Sequence, residues 1–98
     1  MPSDRRYLEL TDQRRKMLRA MRDGNDWHAL QLAAHTGLAY ATVYQALKAF
    51  GKAQWATSRL EAQSEHRARK TATDERNKGP RRTYWRLTAY GMQQARAL

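Results

Sequence analysis

A mainly α chain with one small antiparallel β-hairpin, in the α+β class, is the fold this sequence predicts, and three observations predict it. The first is the stretch from Ala29 to Leu47, which divides into two short helices about Gly37. Leu30, Ala33 and Ala34 fall near helical spacing before that glycine, and Val43, Leu47 and Phe50 do so after it. Gly37 stands where a chain leaving a helix favours positive φ. Ala33 is small enough for a close helix approach, and Val43 can plug the angle between the helices. The second observation is a change of pattern after Gly51. Trp55 to Glu61 is rich in strand formers, and Arg82 to Leu87 alternates with period two, Trp85 and Leu87 opposing Tyr84 and Arg86. The third is the polar connection between those strands, residues 62–81, which carries no apolar residue larger than alanine. Helix, helix, helix, strand, long basic connection, strand, helix is the order of a winged helix-turn-helix, with the hairpin as the wing.

The remaining elements follow from caps and turn residues. Residues 1–10 form a polar arm with an apolar tether at Tyr7, Leu8 and Leu10, and residues 11–98 form the domain, its wing spanning about 55–87. Thr11 can cap the first helix, with Asp12 favourable in its first turn. Met17, Leu18 and Met21 give that helix its apolar stripe, it runs to about Arg22, and Gly24 ends it. Asp26 is the candidate cap of a second helix over about Trp27 to Thr36. The third covers about Tyr40 to Phe50 and is closed by Gly51. Gly79-Pro80 marks a turn beside the second strand, and Thr88 caps the last helix.

Composition bounds the function. The 98 residues make one domain, with room for one small core and little for a large buried active site. Nineteen Lys and Arg against nine Asp and Glu give a net charge of +10. Such a balance points to a polyanionic partner, nucleic acid first. No apolar run approaches membrane-spanning length, so no membrane partner is expected. The N-terminus lacks the apolar stretch of a secretory signal. The absence of cysteine excludes disulfides and fits a reducing cytoplasm. His28, His35 and His66 lack the partners of a metal site, and Asp74-Glu75 lie side by side rather than converging. No catalytic residue, metal or cofactor is therefore expected, and the chain is not read as an enzyme.

The residues also resemble a known family. Thr36-Gly37-Leu38, then Thr42-Val43-Tyr44-Gln45-Ala46-Leu47, then Arg82-Thr83-Tyr84-Trp85-Arg86-Leu87-Thr88-Ala89-Tyr90-Gly91 are similar to the turn, recognition helix and wing strand of PadR-type winged-helix transcription regulators. The resemblance covers about residues 11–95, and MarR-like winged helices share much of the pattern. It implies a repressor-like role and an inward-packed Tyr44. The chain departs from the pattern at Ala39, where the family has Ser, and at Gln45, where it often has Pro. Its wing is longer. The family dimerises through a C-terminal helix or helical domain, whereas about ten residues follow Thr88 here. The apolar parts of the N-terminal helix are the other route to a dimer.

If Val43, Leu47 and Phe50 point inward, Tyr40, Thr42, Gln45 and Lys48 face outward and are the candidates for reading bases. Gln bonds bidentately to adenine, and Thr contacts the thymine methyl. Arg59, Arg67, Arg69, Lys70, Lys78, Arg81, Arg82 and Arg86 are the candidates for neutralising phosphates, which gives affinity and register rather than sequence information. Arg59 has a second option, pairing with Glu61 or Glu65. Trp27, Trp55 and Trp85 are expected to anchor helices to hairpin.

These readings predict a sequence-specific double-stranded DNA-binding regulator that represses by occupying an operator. A homodimer would bind half-sites about 34 Å apart. Two alternatives remain open: a winged-helix module with a protein partner, such as an antirepressor or polymerase-binding factor, and a non-specific nucleic-acid binder.

Overall fold

Thr11 opens the first helix as its side chain predicts. In the computed structural model, which describes residues 6–70 and 81–98, its Oγ1 accepts the Arg14 N–H at 3.2 Å and starts α1 (Asp12–Met21). Met17, Leu18 and Met21 are fully buried.

The next element differs from expectation. Asp26 does not cap the second helix. Trp27–His28 forms a short strand, β1, and His28 caps α2 (Ala29–Thr36). The His28 Nδ1 accepts the Gln31 N–H, and the Gln31 side chain accepts the His28 N–H, each at 3.3 Å. This reciprocal box satisfies two of the amides a helix start leaves open. The face of α2 that is buried carries Leu32 and Thr36, and Leu30 is left 65% exposed.

The turn forms as expected. Gly37 adopts φ 75° and donates its N–H to the Ala33 carbonyl at 2.9 Å. The buried Thr36 hydroxyl donates to the Leu32 carbonyl at 2.6 Å and accepts the Leu38 N–H at 3.3 Å. Beyond it α3 (Tyr40–Lys52) buries Val43, Ala46, Leu47 and Phe50. Its N-cap, Ala39, makes no side-chain hydrogen bond, so this start lacks the roughly 1 kcal/mol that a hydroxyl cap supplies.

Gly51 does not close α3. It lies inside the helix, at a position where a Cβ would sit 3.2 Å from the Trp85 ring. The residue that turns left-handed is Gln54, at φ 64°. Around it the Trp55 N–H reaches the Phe50 carbonyl at 2.8 Å, closing the last turn as a Schellman-type cap does.

β2 (Ala56–Leu60) and β3 (Thr83–Leu87) pair antiparallel, and β1 joins the free edge of β3, so the strand order is β1-β3-β2. Ser58 and Trp27 both lie opposite Trp85, and Arg59 and His28 both lie opposite Tyr84. The Trp85 and Leu87 face turns towards α3 and the core, and the Tyr84 and Arg86 face turns away. The connection between the strands is not all loop: Gln63–Lys70 form a helix, α4. The expected turn at Gly79-Pro80 lies outside the described residues.

The last helix, α5 (Ala89–Arg96), starts as predicted, Thr88 Oγ1 accepting the Gly91 N–H at 3.1 Å. The Thr88 hydroxyl donates to the Gln54 carbonyl at 2.7 Å, and its N–H to the Trp55 carbonyl at 3.0 Å. The arm is tethered by half-buried Leu8 and Leu10, which pack on the core. The Trp55 indole N–H donates to the Arg6 carbonyl. Trp55 itself is buried, stacked on Phe50 with ring centroids 6.1 Å apart. Among the described residues, no helix is long and apolar enough to cross a membrane.

Candidate nucleic-acid interface

The uncovered face of α3 is set by what the opposite face buries. With Val43, Ala46, Leu47 and Phe50 inward, the helical period puts Ala41, Gln45, Lys48 and Lys52 at the centre of the outer face. Thr42 and half-buried Ala49 flank it on one side, Tyr40 and Tyr44 on the other. All four sequence-derived base-reading candidates, Tyr40, Thr42, Gln45 and Lys48, are exposed.

Tyr44 is a correction. It is not packed inward but 44% exposed. Its ring stacks on Tyr40 with centroids 6.1 Å apart and 14° between planes, and the Lys48 ammonium lies 5.4 Å from its centroid. Four residues separate each pair, the spacing at which helix side chains meet.

α3 lies in a shallow valley. Thr11, Gln13 and Arg14 of the α1 start and Thr42, Gln45, Ala49 and Lys52 of α3 line an open concavity of about 750 Å³. On the other side Lys48, Gly51 and Lys52 face Thr57 and Ser58 of β2 across a smaller recess of about 390 Å³. Lys52 escaped notice in the sequence because Gly51 read as the end of the helix. Gln13 escaped because nothing local brings α1 beside α3.

The phosphate candidates fare differently. Asp26, the residue expected to be a cap, ties both wing strands together. Its Oδ2 accepts from Arg59 Nη2 at 2.9 Å and Nε at 3.1 Å, and its Oδ1 accepts from Arg86 Nε at 3.0 Å. Arg59 also reaches Glu65 at 3.5 Å and lies over the Tyr84 ring. Partial burial pushes the Asp26 carboxyl up, but the hydrogen bonds from Arg59 and Arg86 outweigh it, and the net shift is downward. Both arginines project from the sheet face that turns away from α3.

The Arg69 side chain is 10% exposed and already paired rather than presented to solvent. It makes a two-pronged pair with Glu61, Nη2 to Oε1 at 2.7 Å and Nε to Oε2 at 3.1 Å. Glu61 is only 2% exposed. Its Oε1 also accepts the Arg82 N–H at 3.1 Å, its own N–H donates to the Arg82 carbonyl at 2.6 Å, and its carbonyl accepts from Arg81 Nε at 2.7 Å. The Arg69 hydrogen bond, opposed by burial and aided by the Arg82 N–H, holds the carboxyl at about 2 against an ordinary 4.5. Arg69 thus fastens α4 to the hairpin, and Arg81 ties the two ends of the hairpin together at Glu61. Arg67 is exposed on α4, and the Arg82 side chain is half-buried beside the Glu61 site. The Lys70 side chain and Lys78 lie outside the described residues.

His28 sits where β1 meets β3, its ring edge-on to Tyr84 at 5.8 Å. Desolvation, then the nearby Arg82 and Arg69 charges, push its pKa below 6.5, with Glu61 pulling the other way. The neutral ring is the form that caps α2.

No protein-family model matches the chain, and no curated protein matches it. Solved structures do resemble it. A variant of ZitR from Lactococcus lactis superposes with a TM-score of 0.65 at 18% identity, covering 99% of this chain and 56% of that one. The adhesin competence repressor AdcR from Streptococcus pyogenes gives 0.65 at 19% identity over 91% of this chain and 53% of its own. A putative DNA-binding protein from Ralstonia eutropha gives 0.62 at 16% identity over 91% of this chain and 96% of its own. The chain therefore spans about half the length of the ZitR and AdcR chains. At these identities the likeness establishes the winged helix-turn-helix fold.

Proposed function

We propose that this chain is a DNA-binding transcription regulator that reads double-stranded DNA with α3 and represses by occupying its site. The observation that carries this reading is the outer face of α3. It holds hydrogen-bonding and aromatic side chains, Thr42, Tyr44, Gln45 and Lys48, unobstructed in a valley between the α1 start and the wing. A helix held by a turn on its predecessor, with such a face uncovered, is the element that enters a major groove. The net charge of +10 supports a polyanionic partner. The AdcR and Ralstonia structures support the same reading, being described as a repressor and a putative DNA-binding protein.

Base contacts fall to Thr42, Gln45 and Lys48, with Tyr40 at the edge. Phosphate contacts fall to Arg14 and Lys52 beside the groove, and to Arg67 and Arg82 on the wing. Arg59, Arg69, Arg81 and Arg86 act by holding the wing in shape. PadR-like membership remains one form of this proposal, and a homodimer on a two-fold symmetric site is another part of it.

Selection from a randomised duplex pool at near-physiological salt tests the reading, an enriched motif being the expected result. The double variant Thr42→Ala, Gln45→Ala should then lose about ten- to a hundred-fold on the selected site while keeping salt-dependent bulk binding. Arg67→Ala and Arg82→Ala should weaken all sequences alike, each lowering the salt slope by about 1. Bulk binding without enrichment would establish a non-specific binder, and no binding would favour a protein partner.

A further inference from the structure

The Tyr40–Tyr44–Lys48 ladder is the feature of α3 that the fold does not explain. Tyr40 is 49% and Tyr44 44% exposed, two of the five large apolar residues left exposed among the described residues. Large exposed rings adjoining each other mark a contact surface rather than a solvated one. The rings also contact one another. Tyr44 is held between the Tyr40 ring, nearly parallel to it, and the Lys48 ammonium. A ring fixed in this way loses little freedom when a partner covers it.

Resting on the major-groove reading of α3, we infer that Tyr44 is a specificity-determining residue whose ring packs on the C5-methyl group of a thymine. The major groove offers few apolar features, and that methyl is the one a neutral ring can recognise. Tyr44 stands next to Gln45, whose amide suits adenine, so the ring and the amide address neighbouring positions of an A·T-containing site. Lys48, the next rung, holds its ammonium over the Tyr44 ring. Tyr44 thus adds a methyl contact on its own flank of the helix, across the outer face from Thr42.

The test deletes the methyl rather than the side chain. Each thymine of the selected duplex is replaced in turn by deoxyuridine, which differs only by that methyl, and binding is measured for the wild-type protein and for Tyr44→Ala. The wild type should lose about three- to five-fold at one thymine of each half-site, the scale of one buried methyl. Tyr44→Ala should bind the thymine and uracil duplexes equally. Tyr44→Gln, which keeps a helix-compatible side chain, gives the same comparison if the alanine variant does not fold. A wild type indifferent to uracil at every position overturns the inference while leaving the α3 reading standing. So does a methyl effect that survives in both variants. A pool that yields no enriched motif overturns the α3 reading itself, and the inference with it.

Discussion

Gly91→Ala should lower the thermal midpoint of this protein by more than about 10 °C. An added Cβ at that position would sit 1.9 Å from the Trp55 carbonyl oxygen and 2.9 Å from its carbon. Both are backbone atoms and cannot swing aside. The same carbonyl accepts the Thr88 N–H at 3.0 Å, and the Thr88 hydroxyl is bound both to the Gly91 N–H and to the Gln54 carbonyl. Relieving the clash by moving α5 therefore breaks its cap and the hydrogen bonds that join it to the end of α3. Overpacking of this kind costs about 3 kcal/mol, and in a domain of this size each kcal/mol moves the midpoint by roughly 4–8 °C. Thermal unfolding followed by circular dichroism reads the effect. A midpoint within about 3 °C of the wild type would show that α5 does not approach Trp55 as described.

Glu61→Ala should cost on the order of 2–3 kcal/mol at pH 7, because it leaves the Arg69 guanidinium and the Arg82 N–H without the acceptor that compensates their burial. The sign of the pH dependence follows from the lowered carboxyl. Native Glu61 binds its proton less readily than the unfolded chain does, so its contribution is fully present above about 4.5 and is lost as pH falls towards about 2. His28 acts in the same direction and earlier. Its depressed pKa means that its cap is intact above 6.5 and is lost as pH falls through the lowered value. Wild-type stability alone therefore mixes the two groups, and the difference between wild type and Glu61→Ala is the cleaner readout. Denaturant unfolding at pH 7, 5 and 3 should show that difference nearly constant from 7 to 5 and smaller at 3. A difference that does not shrink at pH 3 would mean that Glu61 is not held as an anion by Arg69.

What could be read in the sequence was whatever periodicity and capping chemistry carry locally. Met17, Leu18 and Met21 mark α1, Val43, Leu47 and Phe50 mark α3, and Gly37 and Thr88 mark turn and cap. Each depends on neighbours within one or two helical turns. β1 was not legible because two residues cannot display alternation, and their partners, Trp85 and Tyr84, lie more than fifty positions away. α4 was missed for another reason. It has no apolar stripe, and ion pairs hold it to the hairpin, Glu61–Arg69 and Arg59–Glu65. Gly51 misled because a glycine that admits an indole ring and one that ends a helix look alike in a string of letters. At the candidate site, the exposure of Tyr40, Thr42, Gln45 and Lys48, which we propose as base contacts, was legible because they are the complement of the buried stripe. The wing cations were not, because charge says nothing about whether an arginine is already held by an Asp26 or a Glu61.

The mutual hydrogen bonds between Glu61 and Arg82 have a consequence for how this domain can change. They close the hairpin ladder at its far end, one step beyond the Leu60–Thr83 pair. The strands are therefore registered by their own pairing, without help from whatever chain joins them. The ladder is thus pinned at both ends, by Glu61 and Arg82 at one and by the Thr88 N–H on the Trp55 carbonyl at the other. A one-residue slip of either strand would break both ends together and would turn Trp85 and Leu87 off the core. The register of the wing and the packing of the core therefore stand or fall together.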